Sequence, residues 1–374
     1  IGVQMHQTWD PVGKFGPTIR DTVFLNSSPT TTAATCISIS GVWSANIQGS
    51  YFFGKGAGGG PTTGIGGYGI RFSLTSNASS SSMNITISDN IFITIANAIY
   101  TDDRILVAGG RIEGLRIADN NIIAGQYGIR TAQVLALSIS GNQISDFYIA
   151  ILSIADFDVS ITGNTEITGL YSGIVISADE DGITERYSIT ANNIGSNDIC
   201  IRFSNVIADG VLRSITITAN TFRGIVSTAK GVAVEGAYGV SGASVCANIF
   251  WSLAYGIWCG PSSDIVSSAN QYYSVAVKVF GGTVQGIRSY SESRSITLTG
   301  GAATETINIA IPAGYFDSAP DSAYMTSNTD MITGFYNYDG SSATSLQFVV
   351  RRADGATISS VARRFSISAF DSGY

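Results

Sequence analysis

The sequence has one histidine and few charged residues. Only 13% of its 374 residues are charged, against about 25% in ordinary soluble domains. With His6 alone, mechanisms that need a histidine base, a Ser-His-Asp triad or a multi-histidine metal site have almost no residues to use. Acidic residues outnumber basic ones by 27 to 20, a net charge of −7. We therefore expect no nucleic-acid partner.

Cysteine is also scarce, and long apolar runs are absent. The four cysteines (Cys36, Cys200, Cys246 and Cys259) form no CxxC pair, so we interpret them as small buried hydrophobes that suit folding in a reducing cytoplasm. No apolar run reaches the roughly 18 residues of a membrane span, which predicts no membrane insertion. Nothing in the sequence indicates a cofactor or a metal site.

A short phrase recurs through the middle of the chain: an apolar residue, two small or polar residues, and asparagine. The asparagines are Asn90, Asn120, Asn142, Asn164, Asn192, Asn220, Asn248 and Asn270. Their spacings are 30, 22, 22, 28, 28, 28 and 22 residues, with period-two alternation between them. A 22-residue unit of short strands suits one coil of a parallel β-helix. We expect each asparagine to adopt a left-handed conformation at the same turn and to bond to the next, forming a ladder.

The longer coils place most of their extra residues at one corner. These insertions fall at 102–114, 178–186, 205–213 and 235–243. Insertions stacked on one side of a solenoid form a wall beside a binding groove. The two coils between Asn120 and Asn164 have the 22-residue length without an insertion, and we call them the bare coils. They predict a dip between higher walls.

The two ends of the chain differ from the repeat. Residues 1–32 look irregular and are interpreted as a cap or linker, and 33–285 as the β-helix with its groove. In 290–374 the strand patterns alternate, and Asp339-Gly340 and Asp354-Gly355 are hairpin dipeptides. This predicts an antiparallel β-sandwich that joins subunits.

Acidic residues gather at the inserted corner, where we look for catalysis. The candidate catalytic carboxylates are Asp156, Asp179, Glu180, Asp181 and Asp209. Asp181 and Asp209 are one 28-residue coil apart, which would place them about 5 Å from each other in adjacent layers. Glycosidic hydrolysis needs two carboxyl groups about 5 Å apart for retention or about 6.5–9.5 Å for inversion. Charge on ordinary surface loops is the structural alternative.

Sugars are bound by aromatic faces and planar hydrogen-bonding groups. The candidate substrate-binding residues are Tyr100, Arg130, Arg202, Trp258, Glu185, Asp102 and Asp103. The first four follow inward apolar residues and are expected to form one outward column beside the inserted corner. Leu152, Val175 and Ala233 share that column, and this apolar strip predicts a subunit contact.

With these features, the chain resembles bacteriophage tailspikes and capsule depolymerases of the pectin-lyase-like group. The resemblance rests on the Ile-x-x-Asn coils, the corner insertions and the antiparallel C-terminal region, and involves no specific catalytic motif. It implies an all-β fold, a right-handed parallel β-helix followed by a β-sandwich. It also implies a homotrimer in the virion tail, outside the cell, folded in the host cytoplasm and joined to the tail through an N-terminal domain missing here. The implied partner is a bacterial surface polysaccharide (O-antigen or capsule), cleaved by acidic residues.

Two other functions stay open from the residues. A polysaccharide lyase would use Arg or Lys as the base, a role that Arg186 could fill, and often calcium bound by an acidic cluster, which Asp179, Glu180 and Asp181 could supply. A receptor-binding adhesin or structural spike would use the same groove without turnover. The leading hypothesis is an endo-acting glycosidase that uses two carboxylates.

Overall fold

The computed structural model describes most of the chain. The described residues are 3–6, 16–26, 34–54, 67–73, 81–102, 112–178, 183–205, 211–235, 240–259, 264–280, 283–285, 288–298, 304–310, 322–327, 332–337, 341–342, 345–352 and 362–371. In them, every regular element is a β-strand. No helix long and apolar enough to cross a membrane occurs in this part of the chain.

Within the described ranges, twenty-nine strands form the coils. They are β1 (Val3–His6), β2 (Thr18–Arg20), β3 (Val23–Asn26), β4 (Thr35–Ser40), β5 (Asn46–Gln48), β6 (Tyr51–Gly54), β7 (Tyr68–Phe72), β8 (Ser82–Ser88), β9 (Ile91–Ile93), β10 (Asn97–Thr101), β11 (Ile112–Ala118), β12 (Asn121–Ala132), β13 (Val134–Ser140), β14 (Gln143–Ile154), β15 (Phe157–Thr162), β16 (Glu166–Ala178), β17 (Ile183–Thr190), β18 (Asn193–Ser196), β19 (Ile199–Asn205), β20 (Val211–Thr218), β21 (Thr221–Gly224), β22 (Lys230–Glu235), β23 (Val240–Cys246), β24 (Ile249–Trp251), β25 (Tyr255–Cys259), β26 (Asp264–Ser268), β27 (Gln271–Tyr273), β28 (Val277–Phe280) and β29 (Thr283–Gln285).

These strands stack in two parallel sheets. One sheet has 11 strands, one from each coil, and the other has 18. Register is kept from coil to coil, so that Ile117 pairs with Ile139, then Ile161, Ile189 and Ile217. All five isoleucines are fully buried, which explains why the apolar residue of the repeated phrase recurs. The all-β, right-handed parallel β-helix is confirmed.

The asparagine ladder is present, with one correction. Asn120 donates from its backbone N–H and its Nδ2 to Oδ1 of Asn142, at 2.9 and 3.0 Å, and Nδ2 also donates to Ile87 O at 2.9 Å. The same contacts recur from Asn90 to Asn270. The left-handed residue, however, is the one before the asparagine, such as Asp119 with φ 56°. This residue turns the chain so that the amide side chain points to the interior, where its bonds stack.

The described residues of the predicted cap, 1–32, belong to the coils. Strands β1, β2 and β3 pair in parallel with β4, β5 and β6 of the next coil. Even strands of three or four residues supply the hydrogen bonds that the next coil requires.

The C-terminal region is antiparallel, as predicted. Its strands are β30 (Arg288–Thr297), β31 (Thr304–Ala310), β32 (Ser322–Ser327), β33 (Ile332–Tyr336), β34 (Ser345–Arg352) and β35 (Ala362–Asp371). They form one six-stranded sheet in the order β30-β35-β32-β33-β34-β31. Alternate residues such as Ile307, Ile309, Phe348 and Val350 are buried together, which gives this sheet its own apolar core.

Candidate functional site

A column of side chains runs along the 18-stranded sheet where the sequence places it. In register order it contains Tyr100, Arg130, Leu152, Val175, Arg202, Ala233 and Trp258. Val175 and Ala233 are only 5% and 0% exposed, so they are already buried within one chain. The apolar strip predicted as a subunit contact is therefore wrong for these two residues, because neighbouring side chains cover them.

Arg202 is the centre of an extensive set of polar contacts in this column. Its Nε donates to Ser172 Oγ at 3.1 Å, Nη2 donates to Asp198 Oδ2 at 2.6 Å, and Nη1 donates to Glu235 Oε2. The guanidinium carbon lies 4.1 Å from the centre of the Tyr171 ring. Arg202 is 7% exposed, whereas the side chains of Asp198 and Glu235 are 43% and 30% exposed. A buried guanidinium thus holds two carboxylates at the surface.

Aromatic rings extend this group along the coils. Tyr148 stacks on Tyr171 with ring centres 4.9 Å apart. Lys230 Nζ lies 3.3 Å from Glu235 Oε1 and 4.4 Å from the centre of the Trp258 ring. We call these residues the Arg202 cluster: Tyr148, Tyr171, Asp198, Arg202, Lys230, Glu235 and Trp258. Burial raises the pKa of Tyr171, so its phenol stays protonated and can donate.

A second group surrounds Arg130. The Arg130 guanidinium lies 4.5 Å from the Tyr100 ring centre, and its Nη1 donates to Thr101 O at 3.2 Å. Arg71 binds both oxygens of Asp102. We call these residues the Arg130 cluster: Tyr68, Arg71, Tyr100, Asp102, Tyr127 and Arg130. Three coil steps separate Arg130 from Arg202, a distance of about 14 Å along the stack.

The floor between the clusters consists of tight corners. Gln133 alone joins β12 to β13, and two residues join β14 to β15. The corresponding connections on either side are longer, ten residues after β10 and four after β16. The alternation of bare and inserted coils read from the asparagine spacing is therefore present in the strand boundaries, with the bare coils between the clusters.

Asp156 is one of the two residues that join β14 to β15, and its side chain points to the interior. It is fully buried and accepts hydrogen bonds from Thr131 Oγ1 (2.5 Å), Ser153 Oγ (2.5 Å) and Val134 N (2.7 Å). Burial raises the pKa of Asp156 to about 6, although these three hydrogen bonds act in the opposite direction. The prediction that Asp156 is a catalytic carboxylate does not fit this geometry, because a surface ligand cannot reach an enclosed carboxylate.

Glu185 lies on the other sheet, away from the column. It is part of β17 and pairs with Arg213 Nε at 2.7 Å and with Arg186 at 3.6 Å. The hydrogen bond and charge of Asp158 raise the pKa of Arg186, which keeps the guanidinium protonated. Arg186 is therefore poorly suited to act as the base of a lyase.

Five predicted residues lie outside the described part of the chain: Asp103, Asp179, Glu180, Asp181 and Asp209. Their roles stay predictions. Asp179 directly follows Ala178, the last residue of β16. Within the described ranges, no group of three His, Cys, Asp or Glu residues could hold a metal ion.

Sequence reasoning did not select Asp198 or Lys230 as site residues, and it named Glu235 among the acids of the inserted corner without choosing it as a catalytic candidate. Asp198 lies in a short turn before β19, and no periodic pattern marks it. The available signal was Arg202 itself: a charged residue beside the buried Ile201 needs carboxylate partners within reach.

No protein-family model and no curated protein matches this chain. The solved structures that it is similar to include phage tailspikes, the class that the sequence resembles. The tailspike protein gp49 from Pseudomonas phage LKA1 is 11% identical, with a TM-score of 0.42 over 96% of this chain and 66% of that one. The tailspike of E. coli bacteriophage HK620 in complex with pentasaccharide is 11% identical, with a TM-score of 0.38 over 91% and 72%. The surface protein and adhesin PfbA of Streptococcus pneumoniae is 14% identical, with a TM-score of 0.37 over 70% and 67%. The chain thus spans about two thirds of the first tailspike's length.

Proposed function

We propose that this protein is a phage tailspike that binds a bacterial surface polysaccharide, O-antigen or capsule, along the column and cleaves it by endo-glycosidic hydrolysis. The observation that carries the proposal is the Arg202 cluster, in which two exposed carboxylates share one buried guanidinium beside tyrosine and tryptophan rings. Aromatic faces with fixed polar groups are the chemistry by which proteins hold sugar rings.

Binding is supported by how rigidly these groups are held. The Arg202 guanidinium bonds to three side chains and stacks on Tyr171, so little side-chain entropy remains to be lost on binding. The Arg130 cluster offers a second aromatic and cationic surface about 14 Å away on the same column. Two such surfaces on one line suit an extended chain molecule.

Hydrolysis requires an ionised carboxylate and a protonated one. Glu235 is the candidate for the first role, because its two oxygens contact the Arg202 guanidinium and the Lys230 ammonium over the Trp258 ring. It would take a proton from the attacking water while an acid protonates the departing glycosidic oxygen. For that acid we retain Asp181 and Asp209, with Asp179 and Glu180, which follow the strands that flank the site.

Binding without cleavage is the second candidate. Its support is that both carboxylates of the Arg202 cluster are already engaged in ion pairs with Arg202. A lyase, with Lys230 or Tyr171 near the reacting carbon, is a third outcome of the same test. It would yield unsaturated products that absorb ultraviolet light.

A homotrimer is supported by an exposed apolar strip near the N-terminal end. Val23, Leu25 and Tyr51 are 59%, 73% and 43% exposed. Leu25 pairs in register with Phe53, which in turn pairs with Ile93 of the next coil. Apolar surface of this kind in a soluble protein marks a contact site. We propose that equivalent strips meet in the trimer of a virion tail, after folding in the host cytoplasm.

The test is incubation of the protein with a panel of purified capsular polysaccharides and lipopolysaccharides, followed by measurement of fragment size. Asp181→Asn, Asp209→Asn and Glu235→Gln variants are assayed beside the parent. Retention of one polysaccharide with shortening by the parent supports the proposal. Retention without shortening favours the binding-only function, and no retention by any member refutes the proposed function. Cleavage at the parental rate by all three variants would refute the residue assignment.

A further inference from the structure

The bare coils contain a buried polar network around Asp156. It consists of Thr131, Ser153, Asp156 and Tyr187, which are each 0–2% exposed. Asp156 Oδ2 accepts from Thr131 and Ser153, its Oδ1 accepts from Val134 N, and Ser153 Oγ lies 2.7 Å from the Tyr187 hydroxyl. The Asp156 carboxylate therefore accepts hydrogen bonds from residues of β12, β13 and β14. Ser153 connects it further to Tyr187 of β17.

The two hydroxyl groups that donate to Asp156 belong to residues that directly follow side chains of the column. Thr131 directly follows Arg130, and Ser153 directly follows Leu152. Arg130 and Leu152 are register partners and the column residues of the two bare coils. Asp156 is therefore hydrogen-bonded to Thr131 and Ser153, the residues next to the two column side chains of the bare coils.

An ionised carboxylate is destabilised by burial at this position. Burial raises the pKa of Asp156 to about 6, so an ionised group persists at neutral pH against the preference of its surroundings. Buried ionisable groups that lower the stability of the fold in this way concentrate at functional sites. Asp156 does not reach the surface, so any contribution to binding must pass through its neighbours.

We propose that Asp156 is a positioning residue for the groove floor, which holds Arg130 and Leu152 in their ligand-binding positions through Thr131 and Ser153. This inference rests on the proposed function in taking the column as the ligand-binding surface. In this inference a residue of the coil interior affects ligand binding. A residue with only a structural role in the corner would not do so.

Ionisation of Asp156 has a defined effect on this arrangement. Among the described residues, the charged or titratable groups that act on it are Arg130 and Tyr187. Burial raises the pKa of Tyr187, so Arg130 is the charged one. Ionised Asp156 accepts all three hydrogen bonds and attracts Arg130. A protonated Asp156 must donate one proton, which reverses a hydroxyl bond, and it no longer attracts Arg130.

The test measures polysaccharide affinity at about pH 7.5 and about pH 5 for the parent and Asp156→Asn, with the panel member that the parent retains as the probe. We expect parental affinity to fall about tenfold toward acid pH, and the variant to be about tenfold weaker at pH 7.5 and insensitive to pH. Asp146→Asn is the matched control, because Asp146 is exposed on the same strand, β14. It should follow the parent. Parental affinity and pH dependence in a folded Asp156→Asn protein would overturn the inference.

Two further measurements keep the outcomes distinct. If no panel member is retained, the proposed function fails, and hydrogen exchange of the Val134 amide then tests the positioning alone. We expect that amide to exchange at least about tenfold faster in Asp156→Asn, with the Ile161 amide unchanged. Equal exchange at Val134, or a uniform increase, would overturn it. If Asp156→Asn does not fold, Thr131→Val removes one donor to the carboxylate; we expect weaker binding at about pH 7.5, and parental affinity would overturn the inference.

Discussion

Removal of one interior rung of the asparagine ladder should destabilise the β-helix strongly. The Asn192 side chain makes four hydrogen bonds. Its Oδ1 accepts from Asn164 N and Nδ2 at 3.0 and 2.8 Å, and its Nδ2 donates to Ile161 O and Asn220 Oδ1 at 2.8 and 3.0 Å. At about 1 kcal/mol each, Asn192→Ala should lose about 4 kcal/mol. Asn192 is only 2% exposed, so water cannot replace these bonds.

The assay is guanidinium unfolding followed by far-ultraviolet circular dichroism. We expect Asn192→Ala to lower the midpoint with an unchanged slope. Two controls are available: Asn193→Ala, one residue along and exposed, and Asn270→Ala at the half-buried end of the ladder. Asn193→Ala should have almost no effect and Asn270→Ala an intermediate one. If Asn192→Ala matches Asn193→Ala within about 0.5 kcal/mol, the ladder does not stabilise the coil as argued.

Three further predictions concern the interior, the site and the assembly. The pKa of Asp156 is raised from 3.8 to about 6, so its contribution to stability is complete below about pH 4 and falls by about 3 kcal/mol as pH rises through 6. In Asp156→Asn this fall should vanish from urea midpoints measured across that range; an unchanged pH profile would contradict the assignment. Arg202→Lys keeps the charge, but its single nitrogen cannot take the place of the three guanidinium nitrogens that each reach a different side chain, so polysaccharide affinity should fall about tenfold or more, and parental affinity would count against the cluster. Leu25→Asp places a charge on the exposed apolar strip and should convert a trimer to monomers in sedimentation velocity, whereas an intact trimer would exclude that strip as the interface.

Much of the fold could be predicted from the sequence, because every coil has the same packing and hydrogen-bonding requirements. A buried isoleucine and a bonded asparagine are needed at every layer, so the residues recur at Ile139 and Asn142 as they do at Ile161 and Asn164. The left-handed position was assigned one residue too late. The residue type at this position changes from coil to coil, as at Asp119, Gly141 and Ala191, so no single residue type marks it, and the left-handed φ is read from the backbone.

The site was less predictable, because its contacts join different coils. Glu235 and Arg202 are 33 residues apart, and their pairing depends on the length of the intervening coil. Asp156 shares the corner with the candidate acids in sequence, yet its side chain points to the interior. Whether a corner acid faces solvent or core is decided by its own side-chain direction, which alternation alone does not determine.

The central claim is that the column binds a bacterial polysaccharide and that the Arg202 cluster participates in its hydrolysis. The most direct measurement is mass spectrometry of the retained polysaccharide after incubation in isotopically labelled water, with parent, Glu235→Gln and the control Glu166→Gln, whose residue lies on β16 outside the column. We predict labelled oxygen at new reducing ends with the parent and Glu166→Gln, and a loss of at least about a hundredfold with Glu235→Gln. Unlabelled products, or equal cleavage by Glu235→Gln, would contradict this account.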